Sequence, residues 1–155
     1  MYINTIMQLD IKKNLYYLVF FIPALAVYVP TILYPVDDSY GENIPFRPPG
    51  YVFAIVWPIL LILLGISWVL SLKNKIDRTI NILYIALVIL LGSWSFFYTL
   101  NKIAGLIVII LSLCGTISIT CENIKLGKKL SGYLLIPLIG WLSFASILNI
   151  YSIHY

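Results

Sequence analysis

Apolar residues fall in five long blocks, at 14–34, 51–72, 79–100, 104–122 and 131–151, and nearly all charge lies in the gaps between them. Each block runs roughly 20 residues, the length at which an α-helix crosses a hydrocarbon core about 30 Å thick. Lipid offers backbone amides no water, so such a stretch must satisfy its own hydrogen bonds as a helix. The pattern predicts an all-α integral membrane bundle of five transmembrane helices. The chain reads as one domain, 1–155, whose longest connection is the loop 35–50.

The first block has a competing reading. Lys12 and Lys13, an apolar stretch and then Ala24-Leu25-Ala26 imitate a signal peptide with a small-residue cleavage site. Against it, the apolar run continues for about eight residues past Ala26, and Pro23 and Pro30 are tolerated in a packed membrane helix. The second block begins at Phe46-Arg47-Pro48-Pro49-Gly50-Tyr51-Val52-Phe53-Ala54-Ile55-Val56-Trp57-Pro58. Two successive prolines fix φ and push the residue before them out of the α region, so the chain should approach this helix extended, with Gly50 supplying the turn.

Composition agrees with the pattern: 61% hydrophobic and 10% charged residues, with a mean hydropathy of +0.99, exclude an ordinary soluble domain. The net charge of +4 hints at nucleic acid only until the basic residues are placed. Lys12 and Lys13 precede the first block, Lys73, Lys75 and Arg78 follow the second, and Lys125, Lys128 and Lys129 follow the fourth. All eight fall on one side, leaving Arg47 and Lys102 on the other, so topology explains them and no nucleic-acid partner is expected. The positive-inside rule then puts the N-terminus in the cytoplasm-like compartment and the C-terminus opposite.

Little conventional chemistry can be built from what remains. No ionisable residue lies centrally in any block, which argues against proton relays and voltage sensing. The single histidine, His154, cannot make a triad or a histidine metal site within one subunit. Asp37, Asp38 and Glu42 could hold a hard cation weakly, although a solvated loop is the plainer reading. Cys114 and Cys121 would sit about 10 Å apart along one helix, too far to pair. Ser112, Thr116 and Thr120 recur every four residues and suit close helix packing, while Lys129, Tyr133 and Leu135 fit a loose sterol pattern.

Tryptophan depth is more informative. Counting from the long-loop side, Trp57 and Trp94 lie at similar depth, on the order of 9 Å below the boundary, and Trp141 lies near the midplane. Trp68, near the basic end, is expected to be an interfacial anchor. Trp57, Trp94 and Trp141 admit two readings from the residues alone: helix packing, or the walls of an apolar pocket for a flat ligand. In the second, Arg47 at the mouth could meet a ligand carboxylate.

Two motifs carry a resemblance. Pro48-Pro49-Gly50-Tyr51-Val52-Phe53 followed by Val56-Trp57-Pro58, and Ile136-Pro137 followed by Trp141, Phe144-Ala145 and Leu148-Asn149, are similar to those of the tryptophan-rich sensory protein family, which includes the mitochondrial translocator (peripheral benzodiazepine receptor) proteins. Trp94 matches the family's third-span tryptophan. Leu61, Leu91, Leu138 and Phe46 depart from it, standing where tyrosine, asparagine, tyrosine and tryptophan are usual.

The resemblance implies a five-helix bundle, usually a homodimer, with a pocket under the first loop. It implies ligands that are planar and hydrophobic: tetrapyrroles such as protoporphyrin and haem, sterols such as cholesterol, and isoquinoline carboxamide or benzodiazepine drugs. No obligatory cofactor and no metal site are implied; porphyrin or haem would be a ligand. The ligand-binding positions carried over are Arg47, Pro48, Pro49, Tyr51, Phe53, Trp57, Trp94, Trp141, Phe144, Ala145 and Asn149. Some members accelerate light-dependent porphyrin breakdown, for which the residues matching Trp57 and Trp141 are implicated, with Ala145 as the small residue that makes room. A non-catalytic carrier or scaffold is the alternative.

Overall fold

The computed structural model describes residues 2–36, 44–73 and 77–154, with side chains from Tyr16 onward. Every element among them is helical: α1 Tyr2–Leu33, α2 Gly50–Leu72, α3 Arg78–Leu100, α4 Lys102–Lys125, α5 Lys129–Tyr133 and α6 Ile136–His154. Five segments are long and apolar enough to cross a membrane, namely Tyr16–Leu33, Gly50–Leu72, Arg78–Leu100, Lys102–Lys125 and Lys129–His154. The protein is thus an integral, multi-pass, all-α membrane bundle. The acidic residues Asp37, Asp38 and Glu42 of the expected cation reading lie outside the described residues.

Chain order follows local chemistry at the turns. Asp77 caps α3 by accepting from the Ile80 amide, and Asn101 caps α4 by accepting from the Ile103 amide. At the far end of α4, Gly127 takes φ +75°. Its amide donates to the Ile124 carbonyl while the Lys128 amide donates to the Asn123 carbonyl, so the helix closes in a Schellman turn that glycine makes cheaply. The fifth span differs from the single helix expected at 131–151. It is broken at Leu134 and Leu135 into short α5 and long α6. Pro137 explains the restart: it has no amide to donate, and the first turn of α6 is where a helix needs none, although prolines are also carried inside α1 at Pro23 and Pro30 and inside α2 at Pro58.

Helix α1 packs on α2 and α3, α3 on α4, and α4 on α6 and α5. Between membrane helices the hydrophobic effect supplies little, because lipid tails are as apolar as leucine, so close van der Waals approach and buried polar bonds do more. Outward positions are rich in isoleucine, among them Ile55, Ile59, Ile62, Ile85, Ile89 and Ile107. Two glycines set the position of α1. A Cβ on Gly65 would stand 2.4 Å from the Phe20 carbonyl oxygen, and one on Gly92 would stand 2.2 Å from that of Ala26. Pro30 lacks the amide that would have bonded the Ala26 carbonyl within α1. That oxygen occupies the place a Cβ on Gly92 would take, so the close approach of α1 to α3 depends on the glycine.

Trp68 corrects the expectation of an interfacial anchor. It is only 3% exposed, its Nε1 donates to Asn81 Oδ1 at 2.8 Å, and its ring lies parallel to Tyr84 with centroids 5.5 Å apart. Beside it is a buried polar cluster. The Ser67 and Tyr84 hydroxyls are 2.6 Å apart, and Asn123 Nδ2 donates to Tyr84 Oη at 3.1 Å. Ser67 and Ser131 each donate to the other's carbonyl at 2.7 Å, which ties α2 to α5. Ser112, Thr116 and Thr120 are buried as expected of a packing face, each hydroxyl returning to a carbonyl one turn back. The loose sterol pattern does not present one surface: Tyr133 is exposed, whereas Leu135 is fully buried.

Candidate functional site

At the long-loop end the helices separate around a cavity of about 270 Å³. Pro49 aims α2 into it. With φ −54° and ψ 150° it holds an extended backbone at the helix entrance, and its carbonyl accepts from the Val52 amide. The turn expected of Gly50 is not seen; Gly127 is the one glycine at positive φ among the described residues, and Gly50 is simply the first residue of α2. A Cβ there would meet nothing within 4 Å, so what the glycine provides is an unobstructed stretch of cavity wall.

Three indoles from three helices line this space: Trp57 on α2, Trp94 on α3 and Trp141 on α6. The matching depth of Trp57 and Trp94 in the sequence therefore reflects a shared cavity. Their environments differ. Trp94 is anchored, since its Nε1 donates to Asn149 Oδ1 at 3.2 Å and its ring stacks on Tyr98 at 5.0 Å. Asn149 is itself held by donating to the Ala145 carbonyl at 2.8 Å. Trp141 meets Phe53 edge to face at 5.4 Å, closing the gap between α6 and α2. Its Nε1 is buried without a hydrogen-bond partner. An unmatched buried donor in an apolar wall is uncommon and invites an acceptor from a ligand.

The rim is polar and fastened. Arg47 lines the cavity with its guanidinium carbon 6.0 Å from the Phe53 ring centre, at the limit of a cation–π contact. Phe46 meets Tyr151 edge to face at 5.0 Å and fixes the loop to α6; Tyr34 meets Phe96 likewise at 4.9 Å, joining the end of α1 to α3. Among the described lining residues there is no histidine, cysteine or methionine. Among the described residues no group of three or more histidines, cysteines or carboxylates is placed to hold a metal ion.

Of the sequence-derived positions, Arg47, Phe53, Trp57, Trp94, Trp141, Ala145 and Asn149 come together in the wall. Four do not line it. Tyr51 is 66% exposed, because one residue's step from Gly50 turns a helical side chain by about 100°. Pro48 and Pro49 shape the backbone instead, and Phe144 stands behind Trp141, 5.7 Å from it. Tyr98 and Ser152 were missed, although each lies one turn from a named residue, Trp94 and Asn149, on the same helix face. Ile44 and Ile109 carry no comparable signal, whereas Leu148 stands in the second motif beside Asn149. The departures Leu61, Leu91 and Leu138 are 2%, 4% and 1% exposed in the packed core and none lines the cavity.

Comparison with known proteins identifies the family. The TspO/MBR family model matches residues 19–154. The tryptophan-rich protein TspO of Chlorobaculum tepidum is 36% identical over 110 residues, 67% of this chain and 69% of that one. Its namesake in Archaeoglobus fulgidus is 34% identical over 108 residues, with the same shares covered. The Bacillus cereus protein of that name is 27% identical over 146 residues, 88% of this chain and 95% of its own. With both motifs present, five membrane helices and a tryptophan-lined cavity at the N-terminal end of α2, the chain belongs to the TspO/MBR family and is a membrane receptor of the TspO type.

Proposed function

We propose that the cavity binds a flat tetrapyrrole, protoporphyrin or haem, and promotes its light-dependent breakdown, with Trp57 and Trp141 as the participating indoles. The convergence of three indoles from separate helices on one apolar space supports this reading, since aromatic faces stack on planar rings. At about 270 Å³ the cavity is just below the roughly 300–1,000 Å³ typical of ligand pockets, so a macrocycle would enter by part of its ring and keep its edge at the mouth. The described wall offers neither imidazole nor thiolate, and its one phenol, Tyr98, lies stacked on Trp94, so in this reading haem is gripped by its ring and the free base should bind comparably. An electron-rich indole beside a photoexcited macrocycle is a good electron donor. The protein supplies position and excludes water while the pigment carries the reaction.

By charge placement, the cavity end, with Arg47 and Lys102, faces away from the cytoplasm-like compartment. A carrier or scaffold binding sterol, lipid or porphyrin without chemistry would use the same apolar wall. Titration with protoporphyrin in the dark, followed by illumination of the same samples, separates the two. The expected result is saturable quenching of tryptophan fluorescence and then protein-dependent loss of porphyrin absorbance. Quenching with bleaching no faster than in detergent alone would leave a carrier, and no saturable quenching would remove the tetrapyrrole reading.

A further inference from the structure

A second group of polar side chains lies at the basic end of the bundle, away from the cavity. Ser67 and Ser71 of α2, Tyr84 of α3, Asn123 of α4 and Ser131 of α5 are all buried. Their protons are largely spent on one another. Ser67 and Ser131 each donate to the other's carbonyl, so across the 2.6 Å contact it is the Tyr84 hydroxyl that donates to Ser67 Oγ. Asn123 gives its two amide protons to Tyr84 Oη and to the Ile119 carbonyl. Two atoms of the group have no hydrogen-bond partner among the described residues, Ser71 Oγ and Asn123 Oδ1. Ser112, Thr116 and Thr120 return their hydroxyl protons to the carbonyl one turn back, but for Ser71 that carbonyl belongs to Ser67 and already accepts from Ser131. Both side chains adjoin the Tyr84 hydroxyl: Asn123 Nδ2 is 3.1 Å from it, and Ser71 stands near it without bonding. One offers a proton and the other a lone pair.

We propose that Ser71 Oγ and Asn123 Oδ1 hold one buried water molecule, a bridge from α2 to α4 at the opposite end of the bundle from the tryptophan-lined cavity. Water accepts from the serine, donates to the asparagine and keeps a second proton for the Tyr84 oxygen, within the two to four bonds that a buried water makes. A cation is the poorer guest. The group contains no carboxylate, and the Lys128 ammonium donates to the carbonyl of Ser71 itself, which places a positive charge beside the site.

The sign of one substitution tests this. Removing a buried hydroxyl that has no partner is neutral or favourable, whereas removing a bonded one costs stability. In the full-length protein in detergent, Ser71→Ala should lower the unfolding temperature by roughly 2–4 °C. A crystal structure that resolves ordered solvent should place a water about 2.5–3.0 Å from both atoms. An unchanged or raised unfolding temperature in Ser71→Ala overturns the site, as does a crystal structure in which Ser71 bonds Asn123 directly or the group is dry. Replacing sodium with choline in the buffer should leave the wild-type unfolding temperature unchanged; a fall would make the occupant a cation and overturn the water.

Discussion

Replacing Gly92 with alanine lowers the unfolding temperature of the detergent-solubilised protein by roughly 2–12 °C, the largest effect expected on the stability of the fold. The new Cβ would stand 2.2 Å from the Ala26 carbonyl oxygen, which is backbone and cannot swing aside as a side-chain tip could. Relief requires α1 to retreat from α3, losing van der Waals contact along the interface. Overpacking of this kind costs about 1–3 kcal/mol, and each kcal/mol is worth roughly 2–4 °C in a chain of this size. Gly115→Ala and Gly140→Ala are the controls. Their Cβ atoms would meet only Leu87 Cδ1 at 3.9 Å and nothing within 4 Å, respectively, and alanine favours a helix over glycine. Thermal unfolding followed by circular dichroism should show both at or above the wild type. If Gly92→Ala matches them, α1 does not dock as described.

Trp57→Phe and Trp141→Phe should each slow porphyrin photobleaching by about tenfold or more, an effect of electron donation and placement rather than of folding. Phenylalanine keeps an aromatic face of related shape, so dark binding should change little at Trp57. Trp141→Phe also removes the buried Nε1 donor that has no partner in the protein, and should weaken ligands that offer an acceptor at that depth. Trp94→Phe provides the contrast. Its indole is bound to Asn149, so its loss should appear as lowered stability with bleaching largely retained. Initial bleaching rates at saturating protoporphyrin decide the matter, and wild-type rates in both Trp57→Phe and Trp141→Phe would sink the roles assigned to them.

The bundle was legible because a membrane turns length into structure: 20 apolar residues without charge have only one way to satisfy their amides. The same arithmetic placed Trp57 and Trp94 at one depth, and both line the cavity. It failed for Trp68, because depth says how far an indole is from the boundary but not what faces it. Asn81, its partner, lies across the turn between α2 and α3. Tyr51 fell to a different limit. A motif names neighbours in sequence, whereas a helix wall takes residues three or four apart, so Gly50, Phe53 and Trp57 line the cavity while Tyr51 points out. The break in the fifth span needed the meaning of Pro137 as a helix start, and the Ser67, Tyr84, Asn123 and Ser131 cluster unites residues far apart in sequence that no local pattern pairs.

Protoporphyrin titration of Ala145→Phe tests most directly whether this cavity is the ligand site. Ala145 is 8% exposed in the cavity wall, so a phenyl group there would fill space that the ligand needs, while the Asn149 bond to the Ala145 backbone carbonyl is retained. The account predicts an unfolding temperature within a few degrees of the wild type and affinity weakened by about tenfold or more. Unchanged affinity in a folded Ala145→Phe protein would contradict it and place tetrapyrrole binding elsewhere on the molecule.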